Sequence, residues 1–209
     1  MKKQNDNYDT YEKMTNIFLL CREIAQVTAI YKKFIEKIPD RNAKEITVVF
    51  DRLFFDYIII NWAKICGSFG ESLHYHNVFK GTLMPPDEVK NNFLLAMNYT
   101  NEDYEKMHTH LLTWRDKLLA HFDFNDAYDL RHENYFNKIE IQCESIAQST
   151  IYYFEREAKK NQSLQCWIPA IQKNKTLQEI SSDLKSQWHT FPLGISEAQL
   201  DEIIRVLQS

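Results

Sequence analysis

Between Tyr8 and Ile38 the chain runs without a single glycine or proline, and Ile17, Leu20, Ile24, Val27, Tyr31, Phe34 and Ile38 recur at alternating steps of three and four. That spacing lines one face of an α-helix, so the sequence predicts one long amphipathic helix at its start. The same economy holds throughout: four glycines and five prolines stand in 209 residues, where average usage of about 12% would supply roughly 25. A sandwich or barrel of many short strands lacks the residues for its turns. Glycine-rich phosphate loops and the G-x-S-x-G elbow are absent as well, which removes the main support for dinucleotide, P-loop and serine-hydrolase readings.

Pro39-Asp40-Arg41 breaks the first helix, and Asn42 with Glu45 provides a cap for a second helix reaching Cys66. Phe50, Leu53, Phe54, Tyr57, Ile58, Ile60 and Trp62 cover more than one stripe of it, which predicts the most buried helix of the set. Its β-branched residues also fit a strand, but its length favours helix. Gly67, Gly70, Gly81, Pro85 and Pro86 cluster next, so residues 67–86 read as one long irregular connection. A short helix is expected over 87–97. A third long helix, capped by Asn101, then reaches His121 with Tyr104, Met107, Leu111, Trp114 and Leu118 as its seam.

After a polar connection over 123–133, Phe136, Ile139, Cys143, Ile146, Thr150 and Tyr153 mark a fourth helix. Residues 161–209 carry Trp167, Trp188 and two capping-box patterns, Thr176 with Glu179 and Ser196 with Gln199. The expected architecture is all-α: an antiparallel four-helix bundle over 1–160 with a short helical C-terminal extension over 161–209 packed on it.

The net charge of −4 does not attract polyanions over the whole surface, so any nucleic-acid site must be local. The most basic stretch, Lys32, Lys33, Lys37 and Arg41, is interrupted by Glu36 and Asp40 and reads as a solvated face. Cys21, Cys66, Cys143 and Cys166 form no C-x-x-C and read as buried reduced thiols. The N-terminus leads into polar sequence, and no apolar run approaches a membrane span, so the expected location is cytoplasmic.

Chemistry concentrates at the end of the third helix. Trp114-Arg115-Asp116-Lys117-Leu118-Leu119-Ala120-His121-Phe122-Asp123 places an arginine and a histidine six residues apart. Arg115 offers a two-pronged grip on phosphate, and an imidazole such as His121 ordinarily titrates near neutrality. Six residues turn a helix by about 600°, so a straight helix does not aim both at one atom; convergence requires a frayed end or a second subunit. His108, seven residues before Arg115, shares the arginine's face. A bland reading of the same residues pairs Arg115 with Asp116 or Glu133 and leaves His121 at the helix C-terminus.

This segment, R-D-K-x-x-A-H-x-D closing a long helix, resembles the R-x(4–6)-H motif of the HEPN superfamily, and is similar in particular to HEPN proteins of the abortive-infection type. The resemblance extends more loosely through Asn61 to Ser68, His74 to His76 and Asn101 to His121. It implies a metal-independent endoribonuclease of a defence or toxin system, acting as a homodimer with no cofactor and with an antitoxin as partner. Arg115, His121 and Asp116 would be catalytic, and Lys117 and His108 would contact RNA phosphates. Other members of the superfamily only bind, which implies as alternative a non-catalytic module for nucleotide, RNA or protein. The residue after the arginine is often asparagine in the family, whereas here it is Asp116.

Two metal readings are weaker. Glu71-x-x-His74 and Glu105-x-x-His108 have the ligand spacing of di-metal bundles, but the first falls in the expected loop. His74-x-His76 and His108-x-His110 suggest chelation, yet residues two apart on a helix point to opposite sides. No metal is expected.

Overall fold

The computed structural model describes residues 2–37, 45–120 and 135–160, with positions 202 and 205, and leaves aside the side chains of 2–8, 45–48, 51, 117–120 and 158–160. The described chain is all-helical, without strands. Helix α1 spans Lys2–Lys37 and α2 spans Glu45–Trp62. A π-helical turn, Ala63–Gly67, continues α2. There follow α3 (Tyr75–Phe79), α4 (Pro86–Met97), α5 (Asn101–Ala120) and α6 (Tyr135–Lys160).

Helix α1 is the organising element. Met14, Ile17, Phe18, Cys21, Ile24, Tyr31 and Phe34 are all buried, because α1 packs on α6 most extensively and also on α2 and α3. The expected rank of α2 is thereby corrected. Its Phe55, Ile58, Ile59 and Trp62 are buried, but Val49 and Leu53 are exposed and Phe50, Phe54 and Tyr57 only partly covered. An all-round apolar helix needs neighbours on every side, and the described neighbours of α2 leave one flank as an apolar groove lined by Val27, Phe50, Leu53, Phe54 and Tyr57.

The aromatic rings tie the helices together. Tyr31 of α1 meets Phe136 of α6 edge-on at 4.9 Å. Phe136 meets Phe55 of α2 at 5.5 Å, and Phe55 lies 4.3 Å from Trp114 of α5. A polar pair in the core is matched: Trp62 Nε1 donates to Gln142 Oε1 at 2.8 Å, and Gln142 Nε2 donates to the Tyr104 hydroxyl at 3.4 Å. Cys21, Cys66 and Cys143 are buried free thiols. Burial pushes the thiols of Cys21 and Cys66 upward, away from the reactive thiolate.

Local expectations changed in three places. The connection after Gly67 is not wholly irregular, since α3 interrupts it, started by His74, whose ring accepts the His76 amide. Helix α5 is capped by Thr100 rather than Asn101: Asp103 N–H donates to Thr100 Oγ1 at 3.1 Å while the Asp103 carboxylate accepts Thr100 N–H at 3.0 Å. The α-helical part of α2 ends at Trp62, where the π-helical turn takes over. Among the described residues no helix is long and apolar enough to cross a membrane. The expected extension over 161–209, including Cys166, lies outside the described residues.

Candidate functional site around the π-helical turn

The π-helical turn widens the backbone where α2 meets α5. Such turns are rare and frequent at functional sites. Helix termini leave carbonyls without an intrahelical partner, and here the Cys66 carbonyl is taken up by a side chain. His108 Nε2 donates to it at 2.8 Å. His74 Nδ1 accepts the His76 N–H at 3.2 Å, so the His74 proton resides on Nε2. The His108 imidazole therefore ties α5 to the π turn, with the His74 ring close by.

Burial is the main reason that His74 is lowered from its ordinary 6.5 to about 4; the nearby His76 and His108 lower it further, partly offset by the bond to Cys66. His74 is neutral at physiological pH. The ring of His108 packs between Trp62 and Tyr104, with centroids at 5.7 Å and 5.6 Å. Because its Nε2 carries the donated proton, His108 Nδ1 is left as the basic nitrogen.

At Gly67 the π turn lies close against α5. A Cβ built there would lie 3.0 Å from Leu112 Cδ2, 3.1 Å from Ala63 Cβ and 3.6 Å from Arg115 Nη1. The guanidinium of Arg115 thus lies against the same turn that His108 bonds one residue earlier. Its Nε and Nη2 both donate to Asp116 Oδ1, at 2.9 Å and 2.6 Å. Asp116 is largely exposed while Arg115 is half-buried, so the pair sits at the protein surface.

The expected residues divide accordingly. Arg115 and His108 share a face of α5, and Asp116 engages Arg115. Lys117 belongs to α5, but its side chain lies outside the described residues, as does His121 altogether. The di-metal pairing does not form at α5, because Glu105 turns to Lys90 at 3.4 Å while His108 turns to Cys66. His110 turns elsewhere, to the Tyr135 hydroxyl at 2.8 Å. Among the described residues no three His, Cys, Asp or Glu side chains come together as metal ligands. What the sequence reading missed is the structural role of His74, which entered in two metal-ligand pairings and in the loose reach of the resemblance, and the part of Cys66, which acts through its backbone.

Comparison with models of known families, with curated proteins and with solved structures found no match.

Proposed function

We propose that the chain is a HEPN-like four-helix protein that binds single-stranded RNA at the surface around Arg115 and cleaves it without a metal. The observation that carries this reading is the placing of Arg115 and His108 on one face of α5, both against the turn Ala63–Gly67. A guanidinium near the surface suits the charge clamp that a phosphodiester requires, and in this reading His121 is the proton carrier.

In the proposed reaction His121 takes the proton of the 2′-hydroxyl, or gives one to the leaving 5′-oxygen. The 2′-oxygen attacks phosphorus, the P–O5′ bond breaks, and Arg115 stabilises the charged phosphorane. The products are a 2′,3′-cyclic phosphate and a 5′-hydroxyl. Asp116 orients Arg115, and Lys117 and His108 contact flanking phosphates. The arginine and histidine of one helix diverge, so we propose an isologous homodimer around the end of α5. The biological setting in this reading is a defence or toxin system with an antitoxin partner.

A specific observation favours the second reading, a module that binds RNA, nucleotide or protein without cutting. Asp116 occupies both Nε and Nη2 of Arg115, the two prongs that a phosphate would take. Wild type, Arg115→Ala and His121→Ala incubated with single-stranded RNA in excess EDTA separate the readings. Cleavage lost in both variants supports the nuclease. Binding lost only in Arg115→Ala, with no cleavage by any form, supports the module, and cleavage abolished by EDTA refutes metal independence.

A further inference from the structure

The turn that leaves Gly67 presents an aromatic ring to solvent. Phe69 is 67% exposed, although it is a large apolar side chain in a well-tied segment. The Glu71 amide donates to the Ser68 carbonyl at 3.0 Å, closing a turn with Phe69 at its second position. Gly70 N–H donates to Ser68 Oγ at 3.4 Å. Asn77 Nδ2 holds the Phe69 carbonyl at 2.6 Å and the Glu71 carbonyl at 3.0 Å. Three side-chain bonds and a backbone bond thus fix a loop whose most prominent side chain is left in water. A solvated turn of this kind ordinarily carries a polar residue there.

The ring is also supported from behind. His74 lies 4.6 Å from it at 39°, and His76 meets it edge-on at 5.2 Å. Those contacts set its orientation and still leave most of its surface open. Phe69 stands two residues after Gly67, a span of at most about 7 Å along an extended chain. Gly67 in turn lies against the Arg115 guanidinium. The exposed ring thus belongs to the turn that leaves the glycine against which the cationic group rests.

We propose that Phe69 is a stacking platform for a base of single-stranded RNA, the base belonging to a nucleotide next to the phosphate held by Arg115. The inference rests on the RNA reading above and adds to it a positioning residue. Stacking on an aromatic face is sequence-tolerant and requires an unpaired base, so the platform selects single strands over duplex. It would also fix which phosphate reaches Arg115, because a stacked base sets the register of the strand.

The test uses the full chain and labelled 12-nucleotide single-stranded RNA, read by fluorescence anisotropy, with the matching duplex as control. Phe69→Ala and Phe69→Leu should each weaken single-strand binding roughly 10- to 100-fold, and Phe69→Trp should restore it. Duplex binding should be unaffected by all three. Leucine decides between stacking and mere apolar contact: an unchanged affinity in Phe69→Leu overturns the platform. Wild type that binds while Phe69→Ala binds equally well overturns it too and leaves the RNA reading intact. Wild type and Arg115→Ala alike failing to bind RNA overturns both. A change in sedimentation of Phe69→Ala without a change in RNA affinity assigns the ring instead to a contact between copies of the chain, and so refutes the proposal.

Discussion

His108, in the middle of α5, donates its Nε2 proton to the carbonyl oxygen of Cys66 at 2.8 Å, across a sequence separation of 42 residues. This bond joins α5 to the last turn of the element that follows α2, and it places the face bearing Arg115 against that turn. The geometry of the candidate site depends on it.

The buried imidazole of His74 gives the protein an acid limb to its stability. His74 is lowered to about 4 from 6.5. Above pH 6.5 it is neutral whether the chain is folded or unfolded and contributes no pH dependence. As the pH falls towards 4, the unfolded chain takes up a proton that the folded protein refuses, so this part of the stability is lost by up to about 1.4 kcal/mol per pH unit. Urea unfolding at pH 7 and pH 5 should therefore show a steeper loss for wild type than for His74→Gln. Parallel losses in the two proteins would refute the assignment.

Gly67→Ala should crowd Leu112 and Ala63, since the new Cβ would stand at 3.0 Å and 3.1 Å from them. Overpacking of this kind costs about 1–3 kcal/mol. Leu112 is the flexible neighbour, so adding Leu112→Ala should recover part of the cost in a double-mutant cycle of unfolding free energies. Strict additivity would show that the two positions do not meet.

Much of this was legible in the sequence, and the exceptions share a cause. The three-four alternation located α1 and the seam of α5, where Tyr104, Met107, Leu111 and Trp114 are indeed buried, because helix periodicity is a local property. The π-helical turn was not legible. Ala63-Lys64-Ile65-Cys66 is good α-helical sequence, and the group that bonds the Cys66 carbonyl comes from His108, far along the chain. The exposure of Leu53 was missed for the same reason, since a helix's pattern states which faces want cover and not which receive it. Arg115 beside Asp116 was readable from adjacency, whereas the approach of Arg115 to Gly67 required the packing of two elements.

Gln142→Leu should cost about 1–3 kcal/mol, since it leaves the indole N–H of the fully buried Trp62 without its acceptor. The double variant Gln142→Leu with Trp62→Phe should be less destabilised than the sum of the single changes. Guanidinium midpoints of the four proteins check this, and additive costs would deny that the bond matters.

Asp116→Asn should leave stability within about 0.5 kcal/mol, because the site is exposed. It should also tighten binding of single-stranded RNA several-fold by freeing the prongs of Arg115, with a steeper salt dependence. Unchanged affinity across a salt titration would show that Asp116 does not compete with phosphate.

A π-helical turn is an α-helix with one residue too many, and this makes the site sensitive to chain length rather than to side-chain identity. Removing one residue there, such as Lys64, would restore the ordinary winding while the chain on either side kept nearly the same phase. What would change is the local backbone around the Cys66 carbonyl that His108 bonds and around Gly67 beneath Arg115. Substitutions along this turn are repairs or irritations to the packing. A three-base deletion at Lys64 is the lesion that would disturb the site while leaving His74, His108, Arg115 and Asp116 in the protein.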